Sequence, residues 1–88
     1  MHVEVEQLRA LATLAEELSF TRAARRLGVA QPALSARISR MERRLGRQLV
    51  ERSTRSVRIT PAGLDLLARA EPMLAEAGPV SRPPQPLS

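Results

Sequence analysis

The sequence predicts a mainly α fold that gives way to a short β-hairpin past its middle and then returns to helix. Three observations predict it. The 88 residues are 43% apolar but include one aromatic, Phe20, so the core is built from Leu, Ile, Val, Met and Ala, which favours packed helices. Apolar residues recur at helical spacing as far as Leu45, and Gly28 and Gly46 close two of those runs. Past Gly46 the period shortens, until Thr60 and Pro61 reopen a helix. A chain this short buries only about 60% of its unfolded surface, which leaves room for one small domain.

Leu8, Leu11, Ala12, Ala15 and Leu18 lie on one side of a first helix running from about Val5 to Leu18, with Glu6, Arg9, Glu16 and Glu17 on the other. A short second helix begins near Ser19 or Thr21, either a suitable N-cap, and ends after Leu27, where Gly28 suits the left-handed conformation that closes a helix. A third helix carries Gln31 and Pro32 in its first turn, where the missing N–H of Pro is harmless, and runs from there to Leu45. Leu49 and Val50, then Val57 and Ile59, flank Ser53, Thr54, Arg55 and Ser56 as a small hairpin. Thr60 and Pro61 are an N-cap and first-turn pair opening a fourth helix with Leu64, Leu67 and Ala68 on one face. Pro72 falls about three turns in and is expected to kink or end that helix, because an interior Pro costs on the order of 3 kcal/mol. The tail from Gly78 holds Pro79, Pro83, Pro84 and Pro86 without apolar periodicity and is expected to be disordered or extended. Leu8, Leu11, Leu18, Phe20, Leu27, Leu34, Ile38, Leu45 and Val57 form the expected core.

Charge is unevenly distributed. The net charge is +5, but Ser19 to Thr60 holds eleven Arg against Glu42 and Glu51, or +9, and the remainder three Arg against seven acids, or −4. Nine excess positive charges in 42 residues exceed what solubility requires and point to a polyanion partner. With no Cys there is neither a disulfide framework nor a thiol metal site, as a reduced cytoplasm permits. No basic leader and no run long enough for a bilayer are present, so no membrane association is expected. The single His, His2, and the single Asp, Asp65, offer no acid–base constellation, and no metal, nucleotide or cofactor motif occurs, so no enzymatic activity is expected.

Ala24, Gly28, Leu34 and Ile38 fall at intervals of four, six and four. A helix-turn-helix needs this pattern: a small residue where two helices cross, a Gly able to take positive φ, and two branched residues anchoring the second helix. An αα-hairpin with a Gly in its loop satisfies the same spacing. The faces of the third helix separate the two. At about 100° per residue, Leu34, Ile38, Met41 and Leu45 make a buried stripe, and Pro32, Ser35, Ala36, Ser39 and Arg43 point away from it. Small and hydrogen-bonding groups near an N-terminal half suit a major groove, with cations further out for phosphates. Gln31 and Ser35 can bond bases, and the Ala36 methyl can meet a thymine methyl. Arg37, Arg40, Arg43, Arg44 and Arg47 are placed for phosphates, Arg37 also within reach of a base. Groove-facing Gln31 and Ser35, and the lack of stacking aromatics, argue against single-stranded partners.

From Ser19 to Gly63 the residues resemble the LysR-type transcriptional regulators: Ser-Phe before the second helix, Ala-Ala then Leu-Gly, Gln-Pro-Ala with a following Ser, Leu-Gly at the end of the third, an Arg-rich hairpin, and Thr-Pro-Ala-Gly opening the fourth. With the first helix, the resemblance covers about residues 5 to 70. It implies a winged helix-turn-helix with a three-helix core, a two-stranded wing and a linker helix, reading an interrupted dyad in double-stranded DNA as a homodimer. Base contacts are then expected from Gln31, Pro32, Ser35, Ala36 and Arg37, backbone and wing contacts from Ser39, Arg40, Arg43, Arg52 and Arg55, and dimerisation through Leu64, Leu67 and Ala68. The implied domains are 1–60 for DNA binding, 61–78 for the linker helix and 79–88 for the tail. Ala30 stands where the family usually has a capping Ser or Thr, so a cap worth about 1 kcal/mol is missing. Val50 replaces a usual Phe under the wing. The family's effector-binding domain is absent from this sequence, so a truncated regulator without cofactor or small-molecule site is expected. The alternative is a remnant that acts by pairing with full-length relatives. A weak dimer is expected without DNA, because Pro72 shortens the interface.

Overall fold

A computed structural model describes residues 4–77, in the order α1 (Val5–Glu17), α2 (Phe20–Leu27), α3 (Gln31–Leu45), β1 (Val50–Arg52), β2 (Val57–Ile59) and α4 (Pro61–Ala77). The Pro-rich tail lies outside the described residues. The arrangement is the expected mainly α winged helix: α1 packs against α2, α3 and α4, and the antiparallel wing pairs Val50 with Ile59, Glu51 with Arg58 and Arg52 with Val57.

Each boundary has a local cause. The Gln7 side chain accepts the Glu4 N–H at 3.2 Å, which satisfies one orphan donor at the start of α1 and lets a buried amide keep its partner. Ser19, rather than Thr21, caps α2, its Oγ accepting the Arg22 N–H at 3.2 Å. Gly28 closes α2 at φ 70° and Gly46 closes α3 at φ 67°, the left-handed region in which a side chain is strained. Ala30 contributes no side-chain cap to α3, as its methyl dictates.

The core is Ala10, Leu11, Leu14, Phe20, Ala23, Ala24, Leu34, Ile38, Met41, Leu49 and Val50, with Leu27, Leu45 and Val57 half-buried against it. Three expectations need correction. Leu18 is 50% exposed rather than buried, because α1 ends one residue earlier and Leu18 turns into the left-handed region at φ 51°. The buried face of α1 is also rotated towards Gln7, Ala10 and Leu14, since three helices surround it and not one. Of the two outcomes expected at Pro72, a kink or an end, the second does not occur, and α4 continues to Ala77. The lost hydrogen bond is offset by packing on both sides of it, with Ala70 buried before and Leu74 half-buried after. Val50 is buried under the wing.

The wing and α4 are joined at Thr60. Its Oγ1 donates to the Gln48 carbonyl at 2.7 Å and accepts the Gly63 N–H at 3.0 Å, while its own N–H reaches the Leu49 carbonyl at 3.0 Å. This draws the first turn of α4 so close to the strand that a Cβ at Gly63 would stand 2.5 Å from the Leu49 carbonyl oxygen and 2.7 Å from Ile59 Cγ2. Replacing Gly63 by Ala gains about 1 kcal/mol of helix propensity but forces overlap with backbone. The overlap dominates, and Gly63→Ala is expected to lose about 1 to 3 kcal/mol in urea melts. Unchanged or raised stability would contradict this account of the Gly.

Candidate nucleic-acid interface

The helix-turn-helix geometry follows from the four spaced residues: Ala24 is buried at the crossing of α2 and α3, Gly28 makes the turn, and Leu34 and Ile38 anchor α3 with no exposed surface. Anchoring that stripe inward turns the rest of α3 outward. Gln31, Pro32, Ala36, Arg40 and Arg43 are exposed, and Ser35, Arg37 and Ser39 are half-buried. Arg52 and Arg55 are exposed on the wing. Of the side chains expected to read bases, Gln31 and Ser35 lie beside the wing.

Between them lies an open cleft of about 350 Å³, lined by Gln31 and Ser35 from α3, Phe20 and Thr21 from α2, and Arg52 to Val57 from the wing. Two hydrogen bonds organise it. The Arg52 Nη1 donates to Ser35 Oγ at 2.7 Å, and Thr21 Oγ1 donates to Gln31 Oε1 at 3.2 Å. The Arg52 guanidinium also stacks 4.3 Å from the centre of the Phe20 ring. At the wing tip, Ser53 Oγ accepts the N–H groups of Arg55 and Ser56, each at 3.2 Å, closing the turn that carries Arg55.

The cations divide into two sets. Arg26 meets Glu16 at 2.7 Å and Glu17 at 3.1 Å, and Arg22 meets Glu17 at 3.3 Å. The Glu16 hydrogen bond, then that to Glu17, holds the Arg26 guanidinium above its ordinary range. These charges are neutralised by the acids of α1. Among the described residues Arg25 of α2 and Arg37, Arg40, Arg43, Arg47, Arg52, Arg55 and Arg58 form no ion pair, so most of the uncompensated charge falls on α3, the turn after it and the wing. A surface of this kind attracts a polyanion and offers hydrogen bonds to it at one point.

The residues expected to mediate dimerisation are not one exposed stripe. Leu64 is 56% exposed and Ala68 is exposed, but Leu67 is half-buried against the core. Met73, 47% exposed, lies beyond Pro72 on the same helix. Among the described residues no group of three or more His, Cys, Asp or Glu is placed to hold a metal, and no helix is long and apolar enough to cross a membrane.

One feature of the site escaped the sequence reading. Glu42, the lone acid of α3, turns its carboxylate towards the wing, and Oε2 accepts the N–H of Leu49 at 2.8 Å and of Val50 at 3.1 Å. Its available signal was a single acid among the Arg of α3. The same residue ends α3 through its carbonyl, which accepts the N–H of Gly46 and Arg47.

Fold and surface together define a winged helix-turn-helix module whose third helix and wing flank one basic cleft. Residues 5–64 match the bacterial regulatory helix-turn-helix proteins of the lysR family, and the chain belongs to that family. It is 53% identical over 72 residues to a probable hydrogen peroxide-inducible genes activator of Streptomyces viridosporus, covering 82% of this chain and 23% of the relative. It resembles the Corynebacterium glutamicum OxyR C206S mutant with a TM-score of 0.82 and 44% identity, over 88% of this chain and 24% of the other. The complex of the BenM DNA-binding domain with catB site 1 DNA aligns with a TM-score of 0.79 and 41% identity, over 85% and 84% of the two chains. The chain spans about a quarter of the length of the first curated relatives it matches.

Because hydrogen bonds to a charged acceptor contribute about 1.5 to 3 kcal/mol, Glu42→Ala is expected to destabilise the domain by about 2 kcal/mol and Glu42→Gln by less, since an amide oxygen can still accept. Urea denaturation of the three proteins checks the order. An Ala variant as stable as the wild type would show that the carboxylate does not hold the wing.

Proposed function

We propose that this chain is a sequence-specific reader of double-stranded DNA acting in transcriptional regulation, and not a catalyst. The observation that carries the reading is the outward face of α3, where Gln31, Pro32, Ser35 and Ala36 offer small and hydrogen-bonding groups beside cations without internal partners. Such a face fits a major groove, with Gln31, Pro32, Ser35, Ala36 and Arg37 towards base edges. Ser39, Arg40 and Arg43 then meet phosphates, and Arg52 and Arg55 bring the wing to the adjacent backbone or minor groove. The solved BenM complex supports the reading, since its DNA-binding domain shares this fold across most of both chains.

Selection of duplexes from a random pool tests it, and a recovered dyad with half-sites one helical turn apart, or a multiple, is the expected result. On the selected site, Gln31→Ala should relax base preference at particular positions, costing about 1 to 3 kcal/mol. Arg43→Ala should weaken all duplexes alike and flatten the salt dependence by about one unit. Equal, sequence-independent losses from both would overturn the division between readers and anchors.

The oligomer is proposed to be a homodimer through the exposed side of α4. Leu64, Ala68 and Met73 supply too little apolar surface for a strong dimer, since stable interfaces bury roughly 1,200 Å² or more. Two copies on a dyad meet at high effective concentration, so the contact tightens on DNA. Sedimentation over a concentration series should give monomer at nanomolar protein and two copies per full dyad duplex. A tight dimer without DNA, or one copy per dyad, contradicts this.

A further inference from the structure

We propose that Arg52 is a positioning residue for base recognition, fixing Ser35 as a hydrogen-bond donor, so that the duplex group read by Ser35 is the N7 acceptor of a guanine. The proposal rests on the DNA-reading function proposed above and names what one part of that site reads. Three elements meet on the Arg52 side chain. It leaves the last residue of β1, stacks 4.3 Å from the centre of the Phe20 ring at the start of α2, and donates to Ser35 Oγ in the second turn of α3 at 2.7 Å. Phe20 is itself buried, so the ring is a stationary platform, and a planar guanidinium stacked on it has little freedom to swing.

The polarity of the bond is decided by chemistry. A guanidinium has donors only, so Ser35 Oγ must accept. The hydroxyl keeps its proton, and accepting from a cation polarises it into a stronger donor. The neighbouring positive charge also disfavours approach of a second donor to the remaining lone pair. Gln31 is set the same way: its Oε1 takes the Thr21 hydroxyl at 3.2 Å, which leaves the Nε2 hydrogens to face outward. Two side chains one helical turn apart are therefore turned to the duplex as donors. In the major groove guanine alone presents two adjacent acceptors, N7 and O6, to match two donors: adenine sets a donor amine beside its N7, thymine a methyl beside its O4, and cytosine presents a donor amine. A phosphate oxygen is also an acceptor, and the experiment separates the two.

The test compares the wild-type chain with Ser35→Ala, Arg52→Lys and the double variant by duplex selection and binding. Lys keeps the charge but loses the planar stack, and Ala on the outer side of a helix favours the helix, so the fold should be retained, as thermal melts would show. The expected result is that Ser35→Ala and Arg52→Lys each lose roughly tenfold discrimination at the same guanine, with the double variant no worse than either. On wild-type protein, 7-deazaguanine at that position should reproduce the loss, and it should add nothing to Ser35→Ala. An unchanged consensus for Arg52→Lys, an equal weakening on every sequence, or full binding to the 7-deaza duplex would overturn the proposal and leave the DNA-reading function standing. A wild-type chain that selects no consensus would instead sink that function and the proposal with it.

Discussion

The reading surface depends on the carboxylate of Glu42. A recognition helix and a hairpin on separate segments make one surface only if their relative position is held, and the connection from Gly46 to Leu49 is too short to contain regular structure. Glu42 solves this by accepting the N–H groups of Leu49 and Val50, the first amides of the wing, which would otherwise lie half-buried without partners. The strand therefore starts at a distance set by the end of α3. Thr60 repeats the device on the other side, tying the end of β2 and the first turn of α4 to the Gln48 and Leu49 carbonyls. The wing is held at its base by two polar residues and needs little core beyond Leu49 and Val50.

Charge follows the same economy. Glu16 and Glu17 of α1 engage Arg22 and Arg26 of α2 and so fasten the first helix of the motif to the domain. Surface pairs of this kind contribute little to stability, about 0 to 1 kcal/mol each. Their larger effect is on the field, because they cancel two of the charges of α2 and leave most of the remainder on α3 and the wing.

Much of this was legible in the sequence because it is local. The caps of α2, the periods of α3 and α4, the stops at Gly28 and Gly46, and the hairpin around Ser53 to Ser56 each need only a few neighbouring residues to be read. Leu34 and Ile38 inward imply Ser35 and Ala36 outward, so the outer face of α3 was legible by subtraction. What was not legible depends on packing. The register of α1 was misplaced because a helix surrounded by three others buries more than one stripe, and Leu18 was counted with the core although α1 stops at Glu17. Pro72 was read by propensity alone, but buried Ala70 and half-buried Leu74 outweigh it. Leu67 belongs to the core side of α4, which a one-face stripe does not distinguish. Glu42, Arg52 and Thr21 act across 7, 17 and 10 residues of sequence, so no local pattern reveals their partners.

The central claim is that α3 and the wing behave as one body, and amide hydrogen exchange on the unmodified, DNA-free chain measures it directly. Cooperative units exchange together, whereas a loosely attached hairpin opens at almost no cost. The account predicts that the N–H groups of Leu49 and Val50 exchange as slowly as those of Ile38 and Met41, with the same dependence on denaturant. Rapid exchange at Leu49 and Val50 with Ile38 and Met41 still protected would contradict it, since the wing would then open without α3 and the carboxylate of Glu42 would not join the two.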